Sequence, residues 1–198
     1  MPELPEVETI RRQLAPYLEG RTLERVEIND YRWTLPSPPE LIAEELTGAR
    51  VQRLGRLGKY MIWELDRDRY LLVHLRMTGA LLLDPGHEPR HARVRFELDN
   101  GAVLHYVDPR RFGTGTLLGS TAARDAYLAA RLGAEPFTPQ FTAVYLREQA
   151  RGRSAPVKSF ILDQRRIAGV GNIYADEALH RAEIHPLRPV GELRPAQW

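Results

Sequence analysis

The sequence predicts an α+β protein in two parts. An N-terminal helix with an antiparallel β-sandwich domain occupies residues 1–133, and an α-helical domain occupies residues 134–198. Three observations carry this. Short apolar, strand-like runs separated by turn residues recur at regular spacing up to about residue 120, the pattern of a sandwich or barrel. Beyond that point apolar residues recur at helical spacing instead. Glu135-Pro136 follows Gly133 as a linker, which sets the boundary near residue 133.

Taken in order, Pro2-Glu3-Leu4-Pro5 is an extended lead-in, with Pro5 where a helix's first turn accepts it. Val7, Ile10, Leu14 and Leu18 recur at steps of three and four, predicting an amphipathic helix that closes at Gly20. Glu3, Glu6 and Glu8 gather at its positive end, where carboxylates are favoured. Strands are predicted at Thr22–Ile28, Val51–Leu57, Tyr60–Leu65, Tyr70–Leu75, Ala80–Leu83, Val94–Leu98, Ala102–Tyr106 and Thr114–Leu118. In one of them Val94, Phe96 and Leu98 alternate with Arg95 and Glu97, as a half-buried strand requires. The proline-rich stretch Arg32–Pro39 reads as a surface loop. Further on, Ala122–Leu132 reads as a helix stopped by Gly133, and another helix starts at Thr138 or Thr142, either of which can cap it. Ser154 and Pro156 open the next, with Val157, Phe160 and Ile161 on one face. Asn172 caps a last helix on which Ala175, Ala178, Leu179 and Ala182 share a face.

At 198 residues and 43% hydrophobic content the chain has enough apolar material for ordinary cores. No apolar run approaches the length of a membrane span and no signal peptide opens the chain, so a soluble, cytoplasmic protein without membrane partners is expected. With no cysteine, disulfides and thiolate zinc sites are excluded, and the six histidines lack ligand spacing. The net charge is +2 and the pI about 9.0. Of the 28 basic residues only Lys59 and Lys158 are lysines, which marks both as places where a compact ammonium is wanted.

Chemistry concentrates at the N-terminus. A small second residue such as Pro2 normally allows removal of the initiator methionine, leaving a secondary amine at the chain end. A terminal amine has a pKa of roughly 8, so on the order of a tenth is neutral and nucleophilic at pH 7. Such amines form Schiff bases with carbonyl carbons or their masked forms. Glu3 stands beside it as a candidate proton donor.

The string Pro2-Glu3-Leu4-Pro5-Glu6-Val7-Glu8-Thr9 closely resembles the start of the formamidopyrimidine-DNA glycosylases, bacterial enzymes that excise oxidised purines. Four later stretches are similar to motifs of the same family, in family order. Gly58-Lys59-Tyr60 resembles a segment whose lysine lies near the damaged nucleotide's phosphate. His74-Leu75-Arg76-Met77-Thr78-Gly79 resembles the turn whose methionine enters the hole left by the everted nucleotide, while its histidine approaches a phosphate. Asp108-Pro109-Arg110-Arg111-Phe112-Gly113 resembles the loop that makes Arg110 the partner of the orphaned cytosine and Phe112 a wedge in the base stack. The run from Asp163 to Glu177, containing Gly169-Val170-Gly171-Asn172, resembles the helix–two-turns–helix element that grips the DNA backbone, with Arg153 and Lys158 upstream as further phosphate contacts.

The resemblance implies a bifunctional glycosylase and abasic-site lyase acting on double-stranded DNA as a monomer. Pro2, Glu3 and Lys59 would be catalytic, and Glu6 would support the helix start and a water. His74, Met77, Arg110, Phe112, Arg153, Lys158 and Asn172 would bind DNA. The family usually continues into a four-cysteine zinc finger and a loop over the flipped purine. Both are missing here, so no cofactor is expected in this chain and impaired activity or mere binding of bent or abasic DNA is the alternative outcome. Retention of Met1 would lead to the same alternative, by converting the Pro2 nitrogen into an amide. In Arg90-His91-Ala92-Arg93 the family often has a second histidine at the Arg93 position, a departure expected to have little consequence.

Overall fold

A computed structural model of the chain describes residues 2–198, so the expectation about Met1 lies outside the described residues. Contacts divide the chain into two units, one up to Asp125 and one from Ala126 onward.

The first unit opens with α1 (Leu4–Leu18), followed by β1 (Leu23–Ile28), a 3-10 turn at Tyr31–Thr34 and α2 (Pro39–Leu46). Seven strands come next: β2 (Val51–Leu57), β3 (Tyr60–Leu65), β4 (Arg69–His74), β5 (Ala80–Leu83), β6 (Ala92–Leu98), β7 (Val103–Val107) and β8 (Thr114–Leu118). They form two antiparallel four-stranded sheets, in the orders β1-β6-β7-β5 and β2-β3-β4-β8. The α+β class with a sandwich after an N-terminal helix is therefore borne out. Phe96 on one sheet and Trp63 on the other meet at 5.1 Å between ring centroids, and Val94, Phe96 and Leu98 are all buried. Helix α1 packs along β2 and β3 through Val7, Leu14 and Leu18, each worth about 1.5–3 kcal/mol of burial. Gly20, at φ +83, ends it by donating its N–H to the Val51 carbonyl at 2.7 Å.

One sequence expectation fails in this unit, and one element went unpredicted. Arg32–Pro39 is not simply a surface loop: Trp33 is 2% exposed and lies against Phe96 and Tyr106, with ring centroids 6.4 and 5.7 Å away. Gly115 of β8 makes room for it, since a Cβ there would lie 2.2 Å from the indole. The following stretch forms α2, which starts at two prolines and buries Ile42 and Leu46, one helical turn apart, against β1.

Helix α3 (Thr121–Ala129) spans the divide. The second unit continues with α4 (Ala143–Ala150), α5 (Val157–Leu162) and α6 (Asn172–Arg181). Its core gathers Ala150, Val157, Phe160, Ile167, Leu179, Ile184 and Val190. Thr142, not Thr138, caps α4, accepting the Tyr145 N–H at 3.1 Å. Gly171 occupies the cap position of α6 and Asn172 is its first helical residue, so Asn172 is not the cap expected from the sequence. Of the four residues expected to share the buried face of α6, Ala175 and Leu179 are buried while Ala178 and Ala182 are exposed.

The α3 helix ends ahead of Leu132, for a reason invisible in the sequence. Gly133 donates to the Gln164 carbonyl at 2.9 Å, and a Cβ on it would lie 2.5 Å from the carbonyl oxygens of Arg165 and Arg166. It is a close-approach glycine that ties residues 133–134 into the second unit, which is why the division falls before the expected boundary at 133. Among the described residues no helix is long and apolar enough to cross a membrane.

Candidate active site

The start of α1 and the β2–β3 hairpin build one cluster. Glu3 precedes the first helical residue and is 1% exposed, and its N–H donates to Glu6 Oε2 at 2.9 Å. Val7 donates back to the Glu3 carbonyl at 3.0 Å, so the backbone on both sides of Glu3 is fixed. Pro2, partly buried, is the neighbouring residue.

Glu8 faces the hairpin. It binds Arg11 Nη2 at 2.8 Å, Arg12 Nε at 2.7 Å and Arg56 Nε at 3.2 Å. Arg56 in turn donates to the Gly58 carbonyl at 2.9 Å, so Glu8 fastens the turn carrying Lys59 to α1. Hydrogen bonds from Arg11 chiefly, with Arg12 and Arg56, hold the Glu8 carboxyl at about 2. The sequence reading placed Glu8 only as an acidic residue at a helix start.

Lys59 follows Gly58, whose φ of +56 permits the tight two-residue connection, and is 6% exposed. Burial holds its ammonium below the usual lysine range, opposed by the negative charge of Glu3; Arg76 pushes it lower and Glu6 pulls it back. His74, at the end of β4, pairs with Tyr60 in register and meets its ring edge-on at 4.7 Å. Its Nδ1 accepts the Arg76 N–H at 3.0 Å, which leaves Nε2 as the protonated nitrogen of a neutral ring. Burial first, then the charges of Arg76 and Lys59, push the imidazole down to about 3. Glu3, Glu6 and His74 thus each lie within electrostatic reach of Lys59.

A second group in the same unit presents side chains outward. Met77 sits on the β4–β5 turn beside Arg76 (φ +52) and is 44% exposed. Phe112 is 51% exposed, and the Arg110 guanidinium lies 4.8 Å from its ring centroid. Arg111 (φ +59) turns the other way and clasps Asp30 at 2.6 and 2.7 Å. Arg93 donates to the Asp108 carbonyl at 2.9 Å, so the departure from histidine at this position contributes a tether. Sequence reasoning assigned no role to Asp30, Thr78, Tyr106 or the Asp108 side chain; an aspartate ahead of a turn proline was the one available signal.

The second unit carries the remaining three candidates. Gln164 staples the two turns between α5 and α6: its amide donates to the Val170 carbonyl at 2.7 Å and its oxygen accepts the Gly169 N–H at 2.9 Å. Asn172 is exposed at the start of α6, and exposed Arg153 donates to the Gln149 carbonyl at 2.7 Å. Lys158 is paired with Asp176 at 2.7 Å, so a phosphate there would compete with that carboxylate.

Comparison with known proteins agrees with this architecture. The formamidopyrimidine-DNA glycosylase N-terminal domain matches residues 1–115 and the formamidopyrimidine-DNA glycosylase H2TH domain matches residues 132–198. The chain belongs to the formamidopyrimidine-DNA glycosylase family. A relative of that name from Ruegeria pomeroyi is 43% identical over 209 residues, covering 100% of this chain and 73% of the relative. Another from Stenotrophomonas maltophilia is 47% identical over 197 residues, covering 98% and 71%. Among solved structures, Lactococcus lactis Fpg in complex with abasic-site DNA superposes with a TM-score of 0.91 at 35% identity, covering 98% of this chain and 72% of that one.

Two shifted groups, buried His74 and partly exposed Glu8, tie the stability of this family member to pH. The His74 ring protonates at its ordinary 6.5 when unfolded but at about 3 when folded, so the unfolded state binds more protons between those values. Glu8 adds stability that is present above its ordinary 4.5 and lost as pH falls towards about 2. Stability should therefore fall as pH drops below about 6.5, by about 2 kcal/mol from His74 alone on reaching pH 4.5. His74→Asn, which keeps an acceptor for Arg76, should flatten urea midpoints between pH 6.5 and 4.5; an unchanged slope would place the His74 proton elsewhere.

Proposed function

We propose that this chain is a bifunctional DNA glycosylase and abasic-site lyase that removes oxidised purines from duplex DNA. The observation that carries the reading is the buried Glu3 carboxylate, fixed next to the N-terminal proline and facing the charge of a buried lysine. In proteins few carboxylates or lysines are buried without a reason. Related Lactococcus lactis structures add the substrate class, since those proteins were solved in complex with DNA containing abasic sites or Fapy-dG.

In this mechanism the duplex is kinked and the damaged nucleotide everted, because its anomeric carbon is unreachable in the stack. Met77 fills the vacated space, Phe112 wedges beside it and Arg110 pairs with the orphaned cytosine. The secondary amine of Pro2, freed by loss of Met1, attacks the anomeric carbon and the base departs. Glu3 takes up the proton that the amine gives up and passes it to the ring oxygen as the bond from that oxygen to the anomeric carbon breaks, so the opened sugar is held as an iminium on the chain end. Loss of the 3′ and then the 5′ phosphate leaves a one-nucleotide gap. Lys59 holds a flanking phosphate and assists proton transfer, and neutral His74 offers its Nε2–H to another. Glu6 keeps the helix start in place. Arg153, Lys158 and Asn172, with the start of α6, take the backbone of the strand, and the protein acts as a monomer.

The test uses duplexes with 8-oxoguanine opposite cytosine or a single abasic site, and protein whose intact mass shows Met1 removed. Both should be cut to a gap with phosphate on each side. Tight binding of either duplex without cleavage would make the chain a binder of damaged DNA and remove the lyase.

A further inference from the structure

We infer that Asp108 is a positioning residue that couples the Met77 turn to the Arg110–Phe112 loop, so that both enter DNA as one preformed unit. This rests on the DNA-binding roles proposed above. Asp108 is 1% exposed, yet its carboxylate touches no substrate-facing surface. Its Oδ2 accepts the N–H groups of Phe112 and Gly113 at 2.9 and 2.8 Å. Its Oδ1 accepts the Arg110 N–H at 3.2 Å and also the Thr78 hydroxyl, from the other loop. One buried carboxylate thus satisfies four donors on two segments thirty residues apart.

A second observation points the same way. The Tyr106 hydroxyl is buried where both loops close. A Cβ on Gly113 would lie 1.5 Å from it, and a Cβ on Gly79 would lie 2.5 Å from both it and the Leu75 carbonyl. Each loop also holds an arginine in the left-handed region, Arg76 and Arg111, a conformation that persists only where the surroundings enforce it. Met77, Arg110 and Phe112 are left exposed on a backbone that is already fixed. Their ordering cost is then met on folding and not on binding DNA. The two loops cannot adjust separately, so filling the vacated space and reading the orphaned base become one event.

Asp108→Ala would strand four donors and risks unfolding the loops. Thr78→Val cuts only the tie between them. Binding to a duplex carrying a stable abasic-site analogue opposite cytosine is measured for Met77→Ala, Arg110→Ala and the double variant, in the parent and in the Thr78→Val chain. In the parent the double variant should lose less affinity than the product of the two single losses, by ~5-fold or more. With Thr78→Val the losses should multiply, while thermal unfolding stays cooperative. If the single substitutions do not weaken binding, the proposed DNA roles fail. If they weaken it but multiply in the parent, or stay coupled with Thr78→Val, the positioning role of Asp108 fails.

Discussion

Glu3→Gln is expected to lower base excision by about 10²–10⁴-fold and to leave DNA binding within a few-fold of the parent, the loss that follows when a positioned acid is removed. Glutamine matches the shape of glutamate and can still accept hydrogen bonds, but it cannot deliver a proton to the sugar ring oxygen. Glutamine keeps an oxygen that can accept the Glu6 N–H in the capping box that opens α1. The Glu3 N–H bond to Glu6 at 2.9 Å and the Val7 bond to the Glu3 carbonyl at 3.0 Å are backbone bonds of Glu3 that survive the change. The proposed DNA contacts of Met77, Arg110 and Phe112 lie on other segments. Single-turnover excision of 8-oxoguanine together with fluorescence anisotropy separates the two effects. Equal excision by the variant would take Glu3 out of the mechanism.

Pro2→Gly has an effect of similar size for a different reason. Glycine is also small enough to let Met1 be removed, and its terminal amine titrates in the same range, so a nucleophile persists. What disappears is the pyrrolidine ring that ties the nitrogen to its own side chain and narrows the directions its lone pair can take. Loss of alignment alone can cost about 10²-fold or more. Incision of abasic duplex should fall at least that far while intact mass confirms a free amine. A variant as fast as the parent would show that the amine needs no orientation.

How much of this was legible in the sequence depends on the kind of contact. The sandwich was readable because period-two alternation, as in Val94, Phe96 and Leu98, is local and each turn carries its own Gly, Asp or Pro. Helix α1 was readable for the same reason, at helical period. Trp33 was not: it lies just ahead of a proline-rich stretch without periodicity, and it is accommodated by Gly115, more than eighty positions away. Gly133 was misread as a helix stop because a glycine needed for backbone approach looks the same in one dimension as one needed for a turn.

The candidate site divides along the same line. Pro2, Glu3, Lys59, Met77 and Arg110 were named from short motifs, where resemblance speaks through contiguous residues. The groups that hold them were not. Glu8 reaches Arg56 across 48 positions, Asp30 reaches Arg111 across 81, and Asp108 reaches Thr78 across 30. Each of these is an acidic residue whose default reading is a solvated surface charge. Its partner is fixed only by the register of the sheets. Lys158 shows the converse, a lysine named for phosphate that the structure finds beside Asp176.

The central claim is that the chain's own terminal nitrogen performs the covalent step, and trapping with borohydride measures it most directly. Protein with Met1 removed is incubated with an abasic-site duplex under borohydride, digested, and the DNA-bearing peptide is located by mass. A reduced adduct is expected on the N-terminal peptide, at the Pro2 nitrogen, in stoichiometric yield. An adduct on the peptide containing Lys59, or cleavage with no trapped species at all, would contradict it.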